Sequence, residues 1–96
     1  VETVYQLKWK SNIRTQLRSL PNRIREETVQ AILNLRDEPF PPDAEELRDH
    51  YKGIWKIKID GWRILYQVDE IAMTVTVLAV KRRDPNTYVK LFSLFL

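Results

Sequence analysis

The chain has no cysteine, one histidine, two glycines and no apolar run long enough to span a bilayer. Without cysteine there is neither a disulfide framework nor a thiolate metal site, which fits a reducing cytoplasm. With Gly53 and Gly61 the only glycines, a P-loop, a dinucleotide-binding turn and a nucleophile elbow are all excluded. The carboxylates lack the alternating spacing and central glycine of a calcium loop, so no metal and no cofactor are expected. The lone His50 sits in an acidic stretch and reads as a solvated loop residue. The start, Val1-Glu2-Thr3-Val4-Tyr5, has no basic or apolar leader character, so a cytoplasmic protein with no membrane partner is expected.

What is present is charge and β-branched residues. Sixteen Lys and Arg against thirteen Asp and Glu give a net charge of +3. The two signs are segregated. Asp37, Glu38, Asp43, Glu45, Glu46 and Asp49 crowd one connecting segment, while the later chain carries Lys56, Lys58, Arg63 and Lys81-Arg82-Arg83. Such asymmetry sets up a positive field on one side, as a phosphate-binding surface requires. At 96 residues, positions 1–96 are expected to form a single domain.

The clearest element is Ile54 to Tyr66, two alternating runs joined by Asp60-Gly61. Asp-Gly favours a two-residue type I′ turn, and that loop places Ile59 opposite Trp62, Lys58 opposite Arg63, and Ile57 opposite Ile64. Alternation then puts Trp55, Ile57, Ile59, Trp62, Ile64 and Tyr66 on a core face, with Lys56, Lys58 and Arg63 on the other. Opposed like charges cost a hairpin up to roughly 1 kcal/mol, so their presence points to an anionic partner.

The rest of the chain supports this hairpin. Val4 to Trp9 alternates weakly as a strand. Ser11 is placed to cap a helix carrying Ile13, Leu17 and Leu20, and Pro21 breaks it. A second helix runs to about Arg36 with Ile24, Thr28, Ala31, Ile32 and Leu35 inward, and Pro39, Pro41 and Pro42 end it. The segment to Gly53 reads as a surface loop pinned by Leu47, with room for one helical turn near Asp43 to Leu47. After a turn at Asp69 to Ala72, Met73 to Arg82 reads as the longest strand. Pairing Val68 with Met73 would set Arg63 against Leu78 and bring Thr74, Thr76, Leu78, Val80 and Arg82 to the charged face. Met73, Val75, Val77 and Ala79 would then join the core face. Asn86 to Leu96 reads as an apolar C-terminal helix that packs on the sheet edge or the helices. The fold class expected is a small α+β domain: N-terminal strand, helix pair, antiparallel three-stranded meander and C-terminal helix.

Lys56, Lys58, Arg63 and Arg82, with Tyr88 just beyond, would place cations beside an aromatic ring, which suits single-stranded RNA better than duplex DNA. RNA also brings its own nucleophile, the 2′-hydroxyl. Catalysis would then need only a proton acceptor, a proton donor and positive charge near the developing phosphorane. Lysines crowded by other cations lose protons more readily and can shuttle them, whereas arginine clamps phosphate. These residues alone leave open a passive phosphate-binding surface and an enzyme.

At these residues the chain resembles the RelE/ParE superfamily of type II toxin–antitoxin toxins, and within it the RelE-type mRNA interferases. The likeness is sharpest in Trp55-Lys56-Ile57-Lys58-Ile59-Asp60-Gly61-Trp62-Arg63-Ile64-Leu65-Tyr66-Gln67-Val68 and from Val75 through Arg83 to Tyr88. The resemblance implies the RelE-like fold and an endoribonuclease that cuts mRNA in the ribosomal A site by 2′-hydroxyl attack. It implies Lys56, Lys58, Arg63, Arg82 and Tyr88 as catalytic residues, with Lys81 and Arg83 as RNA-binding neighbours. It further implies a cognate antitoxin, the ribosome and mRNA as partners, and operator DNA reached only through the antitoxin complex. A gyrase-inhibiting ParE-like activity is the alternative. Val80 stands where many relatives carry glycine, and Arg83 adds a cation to the basic run.

Overall fold

The computed structural model describes residues 4–82. The elements run β1 (Gln6–Trp9), α1 (Ile13–Arg18), α2 (Asn22–Asn34), β2 (Glu45–Glu46), a 3₁₀ turn (Asp49–Tyr51), β3 (Ile54–Ile59), β4 (Trp62–Asp69) and β5 (Thr74–Arg82). The five strands form one sheet in the order β1-β5-β4-β3-β2. The meander β3-β4-β5 is antiparallel as expected, but β1 adds to β5 in parallel, so the sheet is mixed. The expected C-terminal helix lies outside the described residues.

Both helices cover one face of the sheet. Ile13 and Leu20, with Ile24, Ile32 and Leu35, bury against Ile57, Ile59, Ile64, Tyr66, Val75, Val77 and Val80. Trp55 and Trp62 pack at the margin of this core, as their alternation requires. Spacing of three and four residues along α2 aligns Ile24, Thr28 and Ile32 in one buried stripe. The first helix is shorter than its pattern suggests, and its N-cap is Asn12 rather than Ser11, with no side-chain cap bond. Gln16 in α1 compensates at the sheet edge, where its Oε1 accepts the Val80 backbone N–H at 2.8 Å. The proline segment is tied down by Tyr66, whose hydroxyl donates to the Pro39 carbonyl at 2.9 Å, and by an edge-on contact of Phe40 with Trp55 at 4.8 Å.

The β3–β4 register is the expected one throughout, from Ile59 opposite Trp62 to Trp55 opposite Tyr66. Its turn is not type I′, however. Asp60 has φ of 52°, but Gly61 does not adopt the left-handed region. Asp tolerates that conformation better than most residues. Its carboxylate is also held by the Arg23 guanidinium at the start of α2.

The β4–β5 register departs from expectation. Val68 pairs with Val75, two residues beyond Met73, because the turn slides forward. Asp69 Oδ1 accepts the N–H groups of Ile71 and Ala72, and Met73 takes a left-handed φ of 58°, so pairing starts only at Thr74. A bulge between Leu65 and Tyr66 then adds a third residue to the offset: Tyr66 pairs with Val77 and Leu65 with Ala79, leaving Leu78 extra. Arg63 therefore faces Lys81, not Leu78. The bulge also exchanges faces. Val80 joins the helix-covered core, while Leu78 and Ala79 bury on the opposite face with Leu47, Ile54 and Leu65.

Leu47 does pin the loop, at 7% exposure, and its N–H donates to the Ile54 carbonyl. The helical turn expected there is instead the two-residue strand β2 on the edge of β3. Gly53, with φ of +94°, closes the loop, and its N–H donates to Glu46 Oε2 at 2.8 Å. A side chain at that φ would be strained, so glycine is needed.

Candidate phosphate-binding site

The candidate site lies on the sheet face away from the helices. Lys58, Arg63 and Lys81 stand directly opposite one another on β3, β4 and β5. Neighbouring strands are about 4.8 Å apart, so the three cations form a row about 10 Å long. Lys56 stands on the same face of β3, about 7 Å from Lys58 along the strand. Its side chain is only 15% exposed, against 54% for Lys58. Arg63 and Lys81 are half-buried. Beyond the row the face turns apolar, with Leu65, Leu78 and Ala79 buried beneath Leu47 and Tyr51.

Of the residues expected from the sequence, Lys56, Lys58 and Arg63 come together on one face, and Lys81 joins them through the bulge. Arg82 is the last residue of β5. It pairs with Trp62, follows the alternation of that residue rather than of Arg63, and is exposed. Arg83 and Tyr88 lie outside the described residues.

Sequence reasoning missed Glu45. It pairs with Lys56 across β2 and β3, and its carboxylate bridges both lysines: Oε2 lies 3.8 Å from Lys56 Nζ and Oε1 lies 3.8 Å from Lys58 Nζ. The acidic segment read as a solvated loop, and only its pairing to β3 reveals which carboxylate meets the cations. Next to this bridge is a cavity of about 480 Å³ lined by Glu45, Leu47, His50, Tyr51 and Lys56 among others. His50, expected to be a solvated loop residue, is exposed at its wall.

Chemically, several cations converge on a shallow face with one largely shielded ammonium and an exposed carboxylate between two lysines. That arrangement could hold phosphate groups and offer nitrogen groups for proton transfer. Among the described residues no cluster of His, Asp or Glu could hold a metal ion, and no helix is long and apolar enough to cross a membrane.

Residues 7–86 match the family model of the ParE toxin of the type II toxin–antitoxin system parDE. The chain therefore belongs to the ParE toxin family, within the RelE/ParE superfamily of type II toxin–antitoxin toxins. Among similar proteins, a putative RelE-like toxin protein of Escherichia coli is 26% identical over 91 residues, 93% of this chain and 94% of the relative. The toxin–antitoxin complex RelBE2 of Mycobacterium tuberculosis contains a chain 28% identical, with a TM-score of 0.72 over 83% of this chain and 99% of that one. The isolated RelE toxin of Escherichia coli matches with a TM-score of 0.70 at 23% identity, covering 96% of this chain and 99% of that one, and shares the fold.

Proposed function

We propose that this toxin is a ribosome-dependent endoribonuclease that cuts mRNA in the A site. The observation that carries this reading is the meeting of Lys56, Lys58, Arg63 and Lys81 on one sheet face. In the proposed reaction the 2′-oxygen of the substrate attacks the adjacent phosphorus. One group takes the 2′-hydroxyl proton, and a second protonates the departing 5′-oxygen. The products are a 2′,3′-cyclic phosphate and a free 5′-hydroxyl. Lys56, Lys58 and Tyr88 are the candidates for the two proton transfers. Arg63 and Lys81, opposite each other on β4 and β5, balance the charge that builds on the phosphorane oxygens. Tyr88 also orients the base, while Arg82 and Arg83 hold neighbouring phosphates. No cofactor enters the reaction. Residues 1–96 act as one toxin domain in the cytoplasm.

Solved relatives occur as toxin–antitoxin complexes, which supports a cognate antitoxin as the partner that holds this chain in check. Operator DNA would be met only through that complex. The family model that matches is that of ParE, which favours gyrase inhibition as the second reading.

Expression in a translation extract, with mRNA ends mapped on ribosomes, separates the two. New ends in the A-site codon that disappear in Lys58→Ala and Arg63→Ala are expected. Intact mRNA together with trapped gyrase–DNA cleavage complexes would overturn the nuclease reading. Slowed translation without new ends would reduce the site to a passive binding surface.

A further inference from the structure

We infer that Glu45 is the resident anion of the lysine pair and determines which anions the site accepts. The inference rests on the phosphate-site reading of the basic face, and adds to it a residue from the opposite end of the charge scale. One carboxylate spans two ammonium groups, each at 3.8 Å, with Glu45 itself 60% exposed. The carboxylate is therefore held on its protein side and can swing outward into solvent, while Lys56 beneath it is largely shielded. An incoming anion has to displace it. A lone small anion gains only what the carboxylate gives up. A polynucleotide strand brings several phosphates, which reach Arg63 and Lys81 in the same act and so favour the exchange. The built-in carboxylate thus filters out single anions and admits a strand. It also offsets the mutual repulsion of the lysines while the site is empty.

Titration of the full chain with two probes tests this: inorganic phosphate, and a single-stranded DNA pentanucleotide, which has no 2′-hydroxyl and cannot be cut. Glu45→Gln is nearly isosteric and removes the charge. It is expected to raise phosphate affinity about fivefold, the effect of freeing cations from ion pairs of this exposure. The pentanucleotide should gain by a smaller factor, since it already displaces the carboxylate, so discrimination between the probes narrows. Glu46→Gln is the control for a general field effect. That side chain accepts the Gly53 N–H, is not paired with either lysine, and as glutamine retains its acceptor oxygen. It should change both affinities by less than about twofold. Unchanged or weaker phosphate binding in Glu45→Gln, or equal gains in the two variants, would overturn the assignment. Glu45→Asp keeps the charge and should restore part of the discrimination, which a purely structural defect would not do. Failure to cut mRNA on ribosomes would sink the nuclease reading and leave these titrations standing. Unchanged discrimination in Glu45→Gln would sink the role of Glu45 alone, and no binding of either probe would overturn the inference together with the phosphate-site reading.

Discussion

The two faces of the sheet are built from the same strands and serve opposite ends. On the helix-covered face, β3, β4 and β5 contribute Ile57, Ile59, Ile64, Tyr66, Val75, Val77 and Val80, all buried. The opposite face is divided: Ile54, Leu65, Leu78 and Ala79 are buried under the β2–β3 loop, and the rest carries Lys56, Lys58, Arg63 and Lys81. Stability is concentrated on the first face. The second collects like charges that work against the fold, so the sheet must be anchored from behind to present them. Substitutions of the covered face and of the open face's cations should therefore separate into losses of stability and losses of activity.

The largest expected effect is on the covered face. Ile64 is 1% exposed at the centre of the sheet, and Ile64→Ala should cost about 2–5 kcal/mol through lost burial and the cavity left behind. Urea denaturation measures it. A loss below about 1 kcal/mol would mean that the helices do not anchor the sheet as described.

On the open face the expected pattern reverses. Lys56→Ala, Lys58→Ala and Arg63→Ala should each lower mRNA cutting about 100-fold or more, within the range for removing a proton-transfer group or a charge-stabilising donor. Lys58→Ala should at the same time leave stability unchanged or raise it by up to about 1 kcal/mol, because it removes a like charge directly opposite Arg63. Its ion pair to Glu45 is exposed and contributes little. A Lys58→Ala protein that melts earlier and still cuts would break the division between the faces.

How much of this division the sequence reveals differs between the two hairpins. In β3–β4 a two-residue loop fixes which residues oppose, and a dense apolar alternation fixes which face is buried, so Lys58 against Arg63 is legible. In β4–β5 neither constraint is tight. The turn is longer, Asp69 shifts it by accepting two N–H groups, and Val75 to Val80 is apolar at nearly every position. An unbroken apolar run hides its parity. The bulge at Leu78 is settled by burial of Leu78 and Ala79 with Leu47, a contact from a distant loop. Through it Lys81 takes the place opposite Arg63 expected of Leu78, and joins the charged face where Arg82 was expected. The bridge from Glu45 and the parallel pairing of β1 were hidden for the same reason: both depend on which strand becomes a neighbour in space. Local pattern specifies the cations on β3 and β4, and tertiary pairing adds what surrounds them.

The smallest effect concerns a polar group that the covered face carries into the core. Tyr66 is fully buried, and its hydroxyl donates to the Pro39 carbonyl. Tyr66→Phe should cost about 1 kcal/mol at neutral pH, the net value of one hydrogen bond, and leave mRNA cutting unchanged. Burial, helped by the nearby negative charge of Asp43, holds the phenol well above its ordinary value of 10.0. The folded chain then keeps this proton where the unfolded chain releases it. The stabilisation is thus complete below about pH 10 and falls away as pH rises above it, since deprotonation favours the unfolded state. Tyr66→Phe lacks that loss. Paired urea curves at pH 7 and 10.5 should show the wild-type advantage shrinking at the higher pH, with lysine titration common to both proteins. An advantage that stays constant would place the hydroxyl in contact with water, and would mean that the covered face is open at the proline loop.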